Sequence, residues 1–189
     1  MERIKPIKQS EFTVQQKQVF NQISSSRPSI AGPFIAWLYS PEFADKAQSL
    51  GEFVRFHTSL SSRISELAIL CVARFWDCIG EWDIHVPFAK AAGIDDQIIT
   101  AINHKDKPLF KEQKEEALHN YLFQLLEKKF VDDKTFTRLA CFFDQKAIVE
   151  ITGLIGYYSL VALSLNAFLI QPPTTKGFEP GINLQTNNK

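Results

Sequence analysis

The sequence predicts an all-α protein folded as a single domain. Apolar residues recur at three- and four-residue intervals in one segment after another, and Ser, Asp, Pro and Gly bracket those segments at capping positions. No alternating strand or tight hairpin interrupts the series. With 189 residues, 45% of them hydrophobic and 12% aromatic, the chain can fill one substantial core.

The elements follow in order. Residues 13–24 place Val14, Val19, Phe20 and Ile23 at helical spacing, and Ser24-Ser25-Ser26-Arg27-Pro28-Ser29 reads as a loop. This N-terminal helix and loop, residues 1–30, precede the main body at 31–170. Helices are expected over 33–39 and 41–57, with Ser40 as cap and Pro41 in the first turn. Ser61 or Ser62 caps a helix running to about Trp76. After a break at 77–80 the next helix spans 81–92, with Gly93 as its stop. Asp95 or Asp96 opens a helix to His104, and 105–108 form a loop. A long amphipathic helix over 111–130 carries Leu118, Tyr121, Leu122, Leu125 and Leu126 on one side. Asp132 or Asp133 begins another, and the helix over 144–169 closes the domain. The tail, 171–189, begins Gln171-Pro172-Pro173 and ends in a polar stretch.

Charge narrows the partners. Lys and Arg total 21 and Asp and Glu total 21, so there is no electrostatic footprint for nucleic acid or an acidic membrane, and a small-molecule substrate fits better. Cys71, Cys78 and Cys141 are odd in number and unpatterned, unlike a secreted disulfide framework; Cys71 and Cys141 lie in apolar runs and read as core. With no apolar run behind the first residues, a cytoplasmic location is expected. Residues 151–170 carry no charge and have the length of a membrane span. Their Thr, Ser, Asn and Tyr content favours a central helix of a bundle, in which Gly153 and Gly156 would permit close approach. His57, His104 and His119 are scattered without metal-ligand spacing, and no nucleotide-binding or serine-hydrolase motif is present, so neither metal nor organic cofactor is expected.

Residues 66–85 carry the chemistry. From Ile64 to Trp76 the charged side chains are Glu66 and Arg74 alone, so this helix is apolar nearly all round and should be buried. A carboxylate buried there must find a partner or take up a proton. Cys78, Glu81 and His85 are spaced three and four apart, which on a helix sets a thiol, a carboxylate and an imidazole in one stripe. Each also has a plainer reading: Glu66 and Glu81 as acids in first helical turns, His85 as a core histidine, Cys78 as an inert buried thiol and Trp82 as packing.

The pattern resembles the carboxymuconolactone decarboxylase family of the alkylhydroperoxidase D-like (AhpD-like) superfamily, small all-helical proteins. The blocks that carry the resemblance are Gly32-Pro33-Phe34-Ile35-Ala36-Trp37, Ser40-Pro41-Glu42-Phe43, Leu50-Gly51-Glu52-Phe53, Ser65-Glu66-Leu67-Ala68-Ile69-Leu70, Glu81-Trp82-Asp83-Ile84-His85, Ala91-Ala92-Gly93-Ile94 and Ile155-Gly156-Tyr157-Tyr158. In the peroxidase branch a glutamate precedes a Cys-x-x-Cys followed by x-x-x-His; Glu66, Cys78 and His85 fall on three of those positions, and Glu81 replaces the second thiol. Glu81-Trp82-Asp83-Ile84-His85 instead resembles the Glu-Trp-x-x-His form of decarboxylase-like members, many of which carry Tyr where this chain has Gly80.

The resemblance implies an AhpD-like fold that assembles through helical faces as a dimer, trimer or hexamer. It also implies that Glu66 lies beside His85, and three functions are open. The first is cofactor-independent lyase or proton-transfer chemistry on a small carboxylated or lactone substrate. There His85 serves as acid or base oriented by Glu66, Glu81 as second acid, Arg74 or Arg63 as carboxylate anchor, and Trp82 as a possible substrate contact. The second is thiol-dependent antioxidant activity of the peroxiredoxin or alkylhydroperoxidase type through Cys78. The third is a non-catalytic oligomeric binding protein.

Overall fold

The computed structural model describes residues 3–26 and 31–170. After a single 3-10 turn at Gln9–Glu11, the helices are α1 (Val14–Ser26), α2 (Phe34–Trp37), α3 (Pro41–Phe56), α4 (Ser62–Phe75), α5 (Ile79–Ala91), α6 (Asp96–Asn103), α7 (Gln113–Phe123), α8 (Asp133–Ala140) and α9 (Gln145–Phe168). The described residues form no strand. The tail and most of the loop after α1 lie outside them.

Helix α4 is the hub, packing most extensively on α5 and α9 and also on α6 and α7. Ser61 caps it, its hydroxyl accepting from the Ile64 N–H at 3.4 Å. Ten of its fourteen residues are buried, the all-round burial expected of its composition. Trp76, Asp77 and Cys78 then reverse the chain. The Cys78 N–H bonds to the Ala73 carbonyl at 2.8 Å and the Asp77 N–H to the Arg74 carbonyl at 3.3 Å, a Schellman closure with Asp77 at φ +48° in the position glycine usually takes. Helix α5 ends in the same way, with Gly93 at φ +81° and the Ile94 N–H on the Ala89 carbonyl at 3.0 Å. The two closures fix both ends of α5 against α4.

Helix α9 begins at Asp144, whose side chain accepts from the Ala147 N–H at 2.8 Å. It is long and apolar enough to cross a membrane, yet Ile151, Leu154, Ile155, Tyr157, Tyr158, Val161, Ala162 and Leu165 are buried against the bundle. Gly153 and Gly156, expected at a close helix contact, instead face outward with nothing near their missing Cβ atoms. The close approach is made by Gly51 of α3, where a Cβ would collide with the Tyr157 hydroxyl and ring.

Two other expectations are corrected. The single helix over 111–130 is replaced by α7 and a π-helical turn, Gln124–Lys128, ending at Lys129 with φ +60°. The Gln124 side chain explains the turn: it accepts from the Asp132 N–H at 3.0 Å and donates to Asp132 Oδ2 at 2.8 Å, pulling the chain toward α8. Cys141, read as core, is exposed just past α8 because that helix buries Leu139 alone.

Gly51→Ala should therefore lower stability by about 1–3 kcal/mol through overpacking against Tyr157, outweighing the gain in helix propensity of about 1 kcal/mol. Gly153→Ala meets no neighbour and should be neutral or stabilising by up to about 1 kcal/mol. Denaturant unfolding of the two variants beside the parent checks the pair; equal effects would show that Tyr157 does not occupy the space over Gly51.

Candidate active site

Four helices converge on His85. α4 brings Glu66 from its buried face, α5 brings Glu81 and His85 one turn apart, α3 brings Arg55 from its last turn, and α9 brings Tyr158. The Nδ1 atom of His85 lies 2.7 Å from Glu66 Oε2, and its Nε2 lies 3.4 Å from Glu81 Oε2. Each ring nitrogen thus faces a carboxylate. Arg55 Nη1 is 3.9 Å from Glu66 Oε1 and 3.3 Å from His85 Nε2, and it donates to the Tyr158 hydroxyl at 3.0 Å. The Tyr158 ring stands edge-on to the imidazole with centroids 5.2 Å apart. Glu66, Glu81, His85 and Tyr158 are all buried, whereas the Arg55 side chain retains 19% exposure between the rings of Phe56 and Phe88. Arg55 is thus the member of the cluster nearest to solvent.

The electrostatics favour an imidazolium. Burial opposes the charged ring, but the hydrogen bonds and charges of Glu66 and Glu81 outweigh it and raise the His85 pKa. Arg55 and a protonated His85 then balance two carboxylates, leaving the buried cluster neutral overall. Burial raises the Tyr158 pKa, against the opposing influence of Arg55, so the phenol keeps its proton at neutral pH. It accepts from Arg55 and has its own O–H left to donate.

The residues expected from sequence sort into three groups. Glu66, Glu81 and His85 are brought together, and Glu81 is at once a first-turn acid of α5 and a partner of His85. Cys78 precedes α5 as its N-cap, with the backbone N–H groups of Gly80 and Glu81 directed at it; burial nevertheless pushes its thiol up to about 12, so it is protonated at neutral pH. Trp82 is buried in the core. Arg63 and Arg74, expected as anchors, are committed elsewhere. Arg63 binds Glu115 and the Gly93 carbonyl, and Arg74 holds Asp77 and donates to the Asn103 carbonyl at 2.6 Å. The cation beside His85 is Arg55. Neither its spacing nor its surroundings in the chain marks it, because α3 joins the site through tertiary packing. Tyr158 had a signal in the Tyr157-Tyr158 pair, whose hydroxyls needed partners inside an apolar helix. Among the described residues no group of three or more His, Cys, Asp or Glu side chains could hold a metal ion.

No protein-family model matches the chain. It is 30% identical over 129 residues to the uncharacterized protein YnjA of Escherichia coli K12, an alignment covering 68% of this chain and 63% of YnjA, so it spans less than two thirds of that relative. Its fold is similar to a crystal structure from Agrobacterium tumefaciens, a protein of unknown function and candidate antioxidant defence protein AhpD, with TM-score 0.65 and 23% identity over 74% of this chain and 96% of that one. It is also similar to a cysteine-to-alanine variant of the debrominase Bmp8 in complex with 2,3,4-tribromopyrrole, with TM-score 0.70 and 14% identity over 89% and 90% of the two chains. The fold is AhpD-like.

The raised His85 pKa has a definite sign for stability. The imidazolium's contribution is fully present below the ordinary histidine value of 6.5 and is lost as pH rises through the higher folded value. Unfolding free energies between about pH 6 and 10 should show the parent losing its advantage over His85→Gln as pH rises. A difference that stays constant across that window would mean that folding does not raise the His85 pKa.

Proposed function

We propose that the chain is a cytoplasmic, cofactor-independent, carboxymuconolactone decarboxylase-like enzyme performing proton-transfer or lyase chemistry on a small carboxylated or lactone substrate. The observation that carries this reading is the buried His85 with a carboxylate at each ring nitrogen. Such an imidazole can deliver a proton to carbon and recover it through its partners. When a carboxyl group leaves as carbon dioxide, its bonding pair stays on carbon and spreads onto an adjacent carbonyl; His85 supplies the proton to that carbon. Arg55 and the Tyr158 O–H are the groups suited to the negative charge on the carboxylate or developing oxyanion. Tyr158 also brings a phenol to a site where Gly80 stands in place of the tyrosine seen in many decarboxylase-like members.

Thiol-dependent antioxidant activity is the second reading, supported by the two backbone N–H groups aimed at Cys78 and by the likeness to a candidate antioxidant protein. Against it stand the protonated, buried Cys78 thiol and Glu81 at the position of the second thiol.

Carbon dioxide release from a panel of small carboxylated lactones, beside hydrogen peroxide consumption with dithiothreitol, separates the two. We expect His85→Gln to cost about a hundredfold or more in turnover of the acid and Cys78→Ser to be nearly silent. Glu66→Gln and Arg55→Gln should impair turnover as well, whereas Arg63→Gln should not. Peroxide consumption abolished by Cys78→Ser and untouched by His85→Gln would reverse the assignment.

Assembly belongs to the same proposal. Phe43, Leu50, Phe53 and Phe56 on α3 and Ile84 and Phe88 on α5 are large apolar residues left exposed, with Phe56 and Phe88 flanking Arg55. Val149 and Leu163 are exposed beside Gly153 and Gly156 on the outer face of α9. These faces suit burial between copies in a dimer, trimer or hexamer. Sedimentation at micromolar concentration should give a mass well above 21.5 kDa; a species of 21.5 kDa alone would reject it.

A further inference from the structure

We propose that the cavity between α4, α6 and α7 binds a small uncharged molecule of largely apolar surface, at a site separate from His85. The cavity has a volume of about 450 Å³, within the range of small-molecule sites. None of Arg55, Glu66, Glu81, His85 or Tyr158 lines it. Its walls are Cys71 and Phe75 of α4, Ile102 of α6, Leu122 of α7 and Leu126 of the π-helical turn. Such turns concentrate at functional sites, and this one carries Leu126 and Glu127 into the wall.

Charge narrows the occupant. The cations that line the cavity are already matched by carboxylates: Lys105 lies 3.0 Å from Asp77, Lys107 lies 3.4 Å from Glu116, and Arg74 is bound to Asp77 and the Asn103 carbonyl. With Asp106 and Glu127 also in the lining, an anion gains no net attraction there. His119 also lines the cavity, and its buried Nδ1 meets no hydrogen-bond partner. Burial and the nearby Lys107 lower its pKa, so the ring is neutral at pH 7. With its cations matched, its imidazole neutral and its walls aliphatic and aromatic, the cavity suits an uncharged molecule of largely apolar surface.

Isothermal titration of the full chain with phenol, and with benzoate and benzylamine as charged counterparts, tests this. Phenol should bind saturably at one site, with benzoate and benzylamine at least about tenfold weaker. Leu126→Trp, at a half-buried position, should fill the cavity and weaken phenol by about tenfold or more. Methyl NMR shifts of Ile102 and Leu122 on adding phenol locate the site without any substitution. Absence of saturable binding, unshifted Ile102 and Leu122 methyls, or benzoate binding as tightly as phenol would overturn the proposal. So would dissociation of an oligomer by Leu126→Trp, which would assign the cavity to a second copy. None of these results depends on the chemistry at His85.

Discussion

The contact between Glu66 and His85 joins the two helices on which the bundle is built, and the charge it carries must be balanced out of water. A lone buried carboxylate or imidazolium costs several kcal/mol, on the order of 3–5 kcal/mol when one partner of such a pair is removed. The balance here needs Arg55 from α3 and Glu81 from α5, and Arg55 is in turn held by Tyr158 from α9. Four helices are therefore tied to one cluster of charges, and the apolar packing around it selects their arrangement among many that would bury similar area.

What could be read in the sequence was local. Ser61, Asp132 and Asp144 announce helix starts because a short polar side chain can satisfy a free N–H three residues on, and all three do so in the structure. Gly93 announces a stop for the same kind of reason. Glu66, Glu81 and His85 were legible because charge in an apolar helix and i, i+4 spacing are properties of a few neighbouring residues. Arg55 was not, since an arginine in the last turn of an amphipathic helix looks like any surface cation until α3 is laid against α5. Which glycine is crowded was equally hidden: Gly51, Gly153 and Gly156 look alike in the chain, and the side chain that distinguishes them, Tyr157, is about a hundred residues from Gly51. The π turn at Gln124–Lys128 depends on a side chain reaching across a loop to Asp132, which helical periodicity does not register.

The fold leaves the reaction open. Similar bundles serve a debrominase and a candidate antioxidant protein, and fold alone does not choose among chemistries. The choice lies in what stands at a few positions. Glu81 offers no thiol to pair with Cys78, and burial holds the Cys78 thiol protonated, two features that weigh against the antioxidant reading. What remains is a charged imidazole with a phenol and a guanidinium beside it, a set suited to moving protons and holding negative charge.

The reversal at Trp76, Asp77 and Cys78 sets more than the direction of α5. Because Cys78 bonds back to α4 and at once precedes α5, the path of this link sets the angular phase of α5 relative to α4. A link of another length would bring α5 in at another phase and part His85 from Glu66. Asp77, left-handed and bound to both Arg74 and Lys105, acts as the index pin of that phase. The register of the site is thus kept by a turn whose Asp77 touches none of Glu66, Glu81 or His85.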